Sequence, residues 1–232
     1  MGRERSGRLI GGHTAGRSLG AAIALIAALS TPAAAAENVA TGRYQLTIVN
    51  TNTGQNFSPP VIVLHTADYR MFEVGRPATE ALWRLAEDGA TDGFLALQDQ
   101  DPAIEQVLLG PSVHRRNSPI VTLEFEASSE ARLSLAAMLT LTNDGFVAVQ
   151  QVNLPAIVGQ EVRLDLLAYD AGSEANTESC AHVPCEVHGK RMTEGAEGMV
   201  RLHPGIRGDA DIPPRRGWTK PPLGVLKLMR ID

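Results

Sequence analysis

Short apolar runs separated by turn residues make up most of the chain from residue 44 onward, and they restrict it to few folds. The predicted strands are 44–50, 61–65, 120–127, 132–142, 146–154, 161–169, 199–203 and 223–231. Their separators, such as SSE, NDG and PAIVGQ, are rich in turn residues, so consecutive strands are expected to pair antiparallel. Because these strands do not alternate with helices, the sequence predicts an all-β, antiparallel β-sandwich of about eight strands.

One helix interrupts this pattern, near residues 77–88 in the stretch GRPATEALWRLAEDG. Pro77 suits a first helical turn, Leu82 and Leu85 give an apolar face, and Gly89 suits the end of a helix. The stretch DPAIEQVLL (101–109) is predicted to add a short helical turn.

The chain begins with the features of a secretory signal peptide. Four arginines precede the apolar run LGAAIALIAAL (19–29), and an Ala-rich segment follows it. A basic head, a short apolar centre and a small-residue exit predict cleavage near Ala36. The alternative is that this segment is retained as an N-terminal anchor.

The remaining residues are enough for one domain. With 232 residues and 44% hydrophobic content, the chain can bury one core of ordinary size. We therefore predict a signal peptide at 1–36, a flexible start at 37–43 and a single domain at 44–232.

The charge balance excludes some classes of partner. Cleavage would remove four Arg and one Glu from the 21 basic and 26 acidic residues, leaving 17 and 25, a net charge near −8. An acidic protein is not expected to bind nucleic acid or an anionic membrane as its main partner. Because no later apolar run reaches spanning length, we expect an exported protein, secreted or periplasmic, with no transmembrane segment after signal cleavage.

Two cysteines, Cys180 and Cys185, lie in the stretch ESCAHVPCEVHGK. In an exported protein a disulfide between them is the leading interpretation. Because His182 and His188 are interleaved with them, the same stretch could instead form a soft-metal site.

Enzymatic motifs are absent from the sequence: it contains no G-x-S-x-G, no H-E-x-x-H and no phosphate-binding glycine loop. The remaining catalytic hypothesis is an unrecognised hydrolase that uses His65 with Asp68 and a loop serine such as Ser58. We predict that the protein is not an enzyme.

Two acidic loops follow predicted strands, TND (142–144) and YDAGSE (169–174). Loops at one end of a sandwich can converge to give the several oxygens that calcium requires. Asp and Asn are also favoured in ordinary turns, so a turn and a cation site both remain open on spacing alone.

Several stretches, taken in order, resemble the spondin N-terminal domain, the family that includes F-spondin and mindin. The matching stretches are YQLTIVNTNTGQNFSPP, FEVGRPATEALWRLAEDG, RLSLAAMLTLTNDGFVAV, LLAYDAGSEANTE and VRLHPGIRG. The resemblance implies a β-sandwich with calcium at one end, held by Asp144, Asp170 and Glu174. This chain departs from the animal members at Gly145, where they have Trp, and at Glu174, where they have Asp.

The resemblance also implies a role in extracellular adhesion or recognition, with an extracellular protein or glycan as partner. We therefore expect an exported, non-enzymatic, calcium-binding module. The main alternative is a structural cell-envelope protein without a metal, in which the acidic loops are simply turns.

Overall fold

The structure is a computed structural model, and it describes residues 40–185, 189–218 and 220–232. The predicted signal peptide, 1–36, lies outside the described residues. The first strand begins at Thr41, so regular structure extends into the segment 37–43 that was expected to be a flexible start.

The described residues form nine strands, two α-helices and one 3-10 turn. In chain order they are β1 (Thr41–Asn50), β2 (Val61–His65), α1 (Glu80–Asp88), α2 (Asp92–Gln100), β3 (Ile104–Leu109), β4 (Ile120–Ser128), β5 (Arg132–Met138), β6 (Gly145–Asn153), β7 (Glu161–Asp170), β8 (Arg201–Leu202), the 3-10 turn Pro214–Arg216 and β9 (Gly224–Arg230).

The strands form one antiparallel sheet in the order β3-β2-β5-β6-β7-β9-β1-β4, with β8 added beside β7. Strand β7 joins the two halves: its residues 161–166 pair with β9, and its residues 167–170 pair with β6. The sheet curls into a half-barrel, which confirms the predicted all-β, sandwich-like fold.

The concave side of the curled sheet encloses the main hydrophobic core. Tyr44 and Leu46 of β1 and Leu228 of β9 pack there with Leu64 of β2 and Leu133 of β5. Alternate residues of β1 are buried, as expected for a strand with one face in a core.

A second core lies on the opposite face of the half formed by β2, β5 and β6. Val63, Ala136 and Phe146 pack there with Leu82 of α1 and Phe94 of α2. Both faces of β2 are therefore covered, which explains why all five of its residues are buried.

Helix α1 begins three residues later than predicted. The hydroxyl of Thr79 accepts a hydrogen bond from the Leu82 N–H at 3.3 Å and caps the helix, so Pro77 lies before the first turn. The helix ends where expected, because Gly89 adopts a left-handed conformation with φ of 69°.

Two other predictions of local structure were wrong, and one helix was missed. The stretch 101–109 contains strand β3, because pairing with β2 buries Ile104 and Val107. Helix α2 was not predicted; Phe94 is its one buried residue, so its sequence has little helical periodicity. Strands β4 and β5 do not pair with each other, since β4 pairs with β1 and β5 with β2.

The sequence predicts no transmembrane segment among the residues that the structure describes. None of the helices in this part of the chain has the length and apolar character needed to cross a membrane.

Two leucines on neighbouring helices allow a matched test of the second core. Leu82 is completely buried, whereas Leu95 is 43% exposed. We expect Leu82→Ala to lower the free energy of unfolding by about 2–5 kcal/mol, because it removes buried methyl groups and leaves a cavity. Leu95→Ala should change it by less than about 0.5 kcal/mol. Urea denaturation measures both values, and equal effects would contradict the described packing.

Candidate functional site

The register between β6 and β7 brings the two acidic loops together. Gly145, the first residue of β6, lies opposite Asp170, the last residue of β7. Just beyond this pair, the Ala171 N–H donates to the Asp144 carbonyl at 3.0 Å. The turn 142–144 and the loop 170–176 are therefore held side by side by sheet geometry.

Asp144 is fully buried and only half satisfied. Its Oδ2 accepts hydrogen bonds from the Ser173 N–H at 2.7 Å, the Ser173 hydroxyl at 3.2 Å and the Glu174 N–H at 3.0 Å. Its Oδ1 is also buried but has no hydrogen-bond partner within the described part of the chain. Burial, followed by the charge of Asp170, raises the pKa of Asp144 from 3.8 to about 7.

Asp170 is also fully buried, but both of its carboxylate oxygens accept hydrogen bonds. Its Oδ1 accepts from the Gly172 N–H at 2.8 Å, which closes a local turn. Its Oδ2 accepts from Asn176 Nδ2 at 2.6 Å and from Arg201 Nη2 at 3.2 Å. The ion pair with Arg201 offsets part of the cost of burying this charge.

Gly172 fixes the path of the loop between the two aspartates. It has a positive φ of 70°, and a Cβ there would approach the Met199 carbonyl oxygen to 2.2 Å. Any other residue would be strained and would push away the segment that precedes β8.

Sequence reasoning missed four residues around this pair: Asn176, Glu197, Arg201 and His203. Glu197 pairs with Arg201, and one of its oxygens is buried without a partner among the described residues. The imidazole of His203 is buried near Asp170, and burial lowers its pKa from 6.5 to about 4. The stretch EGMVRLH (197–203) contains three of these residues, and the fourth, Asn176, ends the loop 170–176. Their spacing in the sequence does not show that these two segments meet.

Glu174 takes part through its backbone, while its carboxylate has different contacts. Its Oε1 accepts a hydrogen bond from the Met192 N–H at 2.5 Å. The side chain lines a cavity of about 190 Å³ together with Glu87, Asp88 and Arg191. Burial raises the pKa of Glu174 from 4.5 to about 7.

Two of the three predicted ligands thus lie together, and the third carboxylate is directed to another set of residues. Within residues 40–185, 189–218 and 220–232, no group of three or more His, Cys, Asp or Glu side chains is arranged to hold a metal ion. Asp144, Asp170 and Glu174 as a ligand set therefore stay a prediction. The unpartnered Oδ1 of Asp144, beside a second carboxylate, is the feature that fits a cation.

The cysteine stretch forms a disulfide. Cys180 and Cys185 are bonded to each other, with an S–S distance of 2.10 Å. The alternative soft-metal site is wrong in this state, because both sulfurs are already bonded. The Nδ1 of His182 instead contacts the Thr177 hydroxyl at 3.1 Å, and His188 lies outside the described residues.

The proposed hydrolase dyad is not formed by its two members. His65 is fully buried, and its Nδ1 hydrogen-bonds the Thr66 carbonyl at 2.7 Å rather than the exposed Asp68. Its Nε2 lies 2.7 Å from the hydroxyl of Ser134, which is also fully buried. Burial lowers the pKa of His65, as expected for a neutral imidazole in a satisfied core network.

The raised pKa of Asp144 predicts a particular pH dependence in chelator. In the folded state the Asp144 carboxyl group stays protonated up to about pH 7, whereas in the unfolded chain it loses its proton near pH 4. The free energy of unfolding should therefore fall as pH rises between these values, by up to about 1.4 kcal/mol per pH unit for one proton. Glu174 should contribute in the same direction, because its pKa is raised similarly.

Asp144→Asn should make the free energy of unfolding depend less on pH between about 4 and 7, because one buried carboxyl group no longer titrates. Urea denaturation at several pH values measures this slope. Asp68→Asn, at an exposed carboxyl outside the site, is the control, and Asp144→Asn should change the slope more than it does. An unchanged slope in Asp144→Asn would contradict the described burial.

Comparison with protein families supports the resemblance noted in the sequence. The Spondin_N family model matches residues 48–191, which is more than half of the 232-residue chain. The match includes β6, β7 and both acidic loops. A search of curated proteins finds no significant match. The chain therefore belongs to the Spondin_N family, whose domain is an extracellular recognition or adhesion module.

Proposed function

We propose that this protein is an exported, non-enzymatic recognition or adhesion module that binds calcium between its two acidic loops. The observation that carries the calcium part is the buried Oδ1 of Asp144, which has no hydrogen-bond partner among the described residues and lies in a loop pair with Asp170. A buried carboxylate oxygen without a partner costs free energy, and a cation would recover it.

The chemistry of the donors suits calcium better than a softer metal. The two neighbouring side chains, Asp144 and Asp170, are carboxylates, and calcium takes oxygen ligands in flexible geometry. Glu174 is the expected third ligand by family resemblance, and its backbone N–H already orients Asp144. In this proposal the ion supplies positive charge between the loops, which would otherwise repel each other.

Contacts within the protein already hold part of the two acidic loops in place. Gly172 holds the loop path, while Ser173 and Glu174 hold one oxygen of Asp144 through their N–H groups. An ion at the other oxygen would tie the turn 142–144 to the loop 170–176 more firmly. Those loops would then be a rigid surface for an extracellular protein or glycan.

The contacts of His65, Ser134 and Asp68 support the non-enzymatic part of the proposal. The His65–Ser134 pair is fully buried, and the exposed Asp68 makes no hydrogen bond to either residue in the described part of the chain. Neither His65 nor Ser134 lines the cavity of about 730 Å³ that Asp68 borders.

Calorimetric titration of the mature domain, purified in chelator and then dialysed, tests calcium binding. We expect about one calcium per chain with micromolar-to-millimolar affinity, as for other extracellular sites. Asp144→Asn should abolish the heat signal, because it removes the negative charge at the unpartnered oxygen. Asp165→Asn, at an exposed carboxylate on the same strand as Asp170, is the matched control and should bind normally.

Thermal unfolding separates this proposal from a metal-free structural protein. A ligand that binds only the folded state stabilises it by about 2.7 kcal/mol at a hundredfold excess over Kd. Calcium should therefore raise the Tm of the wild type relative to chelator, but not that of Asp144→Asn. Equal Tm values for the wild type in both conditions would favour the metal-free alternative.

A further inference from the structure

Four arginines from two distant parts of the chain line one surface cavity. Arg115 and Arg116 lie in the connection between β3 and β4, and Arg215 and Arg216 lie in the 3-10 turn before β9. Together with Thr53 they line a cavity of about 270 Å³. We call these four residues the arginine cluster.

The cluster has positive charge without a matching negative charge. No acidic residue lines this cavity, and no ion pair within the described part of the chain includes any of the four arginines. The pKa of Arg115 is lowered by partial burial and then by the charges of Arg116 and Arg216. Like charges that line one cavity repel each other, so an anion placed among them would be bound favourably.

The cluster is held in place by buried polar contacts of the loop 51–57. Gln55 is fully buried, and its Nε2 donates to the Arg216 carbonyl at 2.7 Å. Asn56 Oδ1 accepts from the Arg115 N–H at 3.1 Å. At Gly54 a Cβ would lie 2.3 Å from the Arg216 carbonyl oxygen, so the two backbones are in direct contact. Both arginine pairs are therefore positioned by the same loop.

Nearby acidic residues are engaged elsewhere. Glu178 accepts hydrogen bonds from the backbone N–H groups of residues 207–209. Asp211 Oδ2 accepts from the Ser179 hydroxyl and the Cys180 N–H, both at 2.9 Å. Neither of these carboxylates lines the cavity of the arginine cluster.

We propose that the arginine cluster binds the sulfate or phosphate ester groups of an anionic polysaccharide. Guanidinium groups bind such oxyanions through paired, charge-assisted hydrogen bonds, and four of them around one cavity give a preformed site. Nucleic acid is a poorer fit, because among the residues that the structure describes no aromatic side chain on which a base could stack lines this cavity. This inference rests on the proposed recognition role and names the chemical class of its partner.

The probe is fluorescently labelled dextran sulfate, titrated with the mature protein at low ionic strength and followed by anisotropy. Uncharged dextran of the same length is the polymer control. We expect binding to dextran sulfate alone, weakened by added salt because the interaction is between charges. Arg115→Gln/Arg216→Gln should weaken it at least about tenfold, since it removes two of the four guanidinium groups and their charge-assisted hydrogen bonds.

Two further variants keep the test decisive. Arg116→Gln/Arg215→Gln changes the two most exposed members of the cluster, so it tests the site even where the first variant fails to fold. Arg163→Gln/Lys227→Gln removes the same charge from a pair of facing residues on β7 and β9, and should bind like the wild type.

Four outcomes would overturn the proposal. They are wild-type affinity in a folded cluster variant, an equal loss in the β7–β9 control, tighter binding of a single-stranded oligonucleotide than of dextran sulfate, and binding of inorganic sulfate or phosphate without binding of the polymer. The titrations are run both with calcium and with chelator. Polymer binding that persists without any calcium binding would reject the calcium proposal and leave this one standing.

Discussion

The register between β6 and β7 is the constraint on which the candidate site depends. Because Gly145 faces Asp170, the residues just outside the pair, Asp144 and Ala171, meet without any contribution from their side chains. A shift of one residue would turn every side chain of β7 to the other face and separate the aspartates. The change of partner along β7, from β9 to β6, makes such a shift costly, because it would disrupt both halves of the sheet.

These backbone contacts hold the carboxyl groups of Asp144 and Asp170 close together in a buried position, where two negative charges are unfavourable. The surrounding residues satisfy these charges unequally: Asp170 has Arg201 and Asn176, whereas Asp144 relies on N–H groups at one oxygen only. This asymmetry is a property of the loops and does not require any assumption about a ligand. It also explains why burial raises the pKa of Asp144 so far.

Much of the fold was accessible from sequence, because each of the eight predicted strands overlaps one in the structure. Strand β3 was missed because Pro102 and the polar pair Glu105 and Gln106 hide its pattern. The pairing order was missed for a different reason: β1 pairs with β4 and β9, which are distant in sequence, and local patterns carry no information about such contacts.

The candidate site was also predicted only in part, for the same reason. The family resemblance named Asp144, Asp170 and Glu174 together, but the direction of the Glu174 carboxylate depends on a contact with Met192. The arginine cluster joins residues about a hundred positions apart, which no local pattern connects.

Strand β9 has a consequence for the order in which the protein can fold. Among the described strands it comes last in the chain, yet it lies between β7 and β1 and links the β1–β4 pair to the rest of the sheet. During synthesis the main core therefore stays open until residues 224–230 have emerged. The main core is thus closed by contacts between residues far apart in the sequence, which makes completion of the sheet a late and slow step of folding.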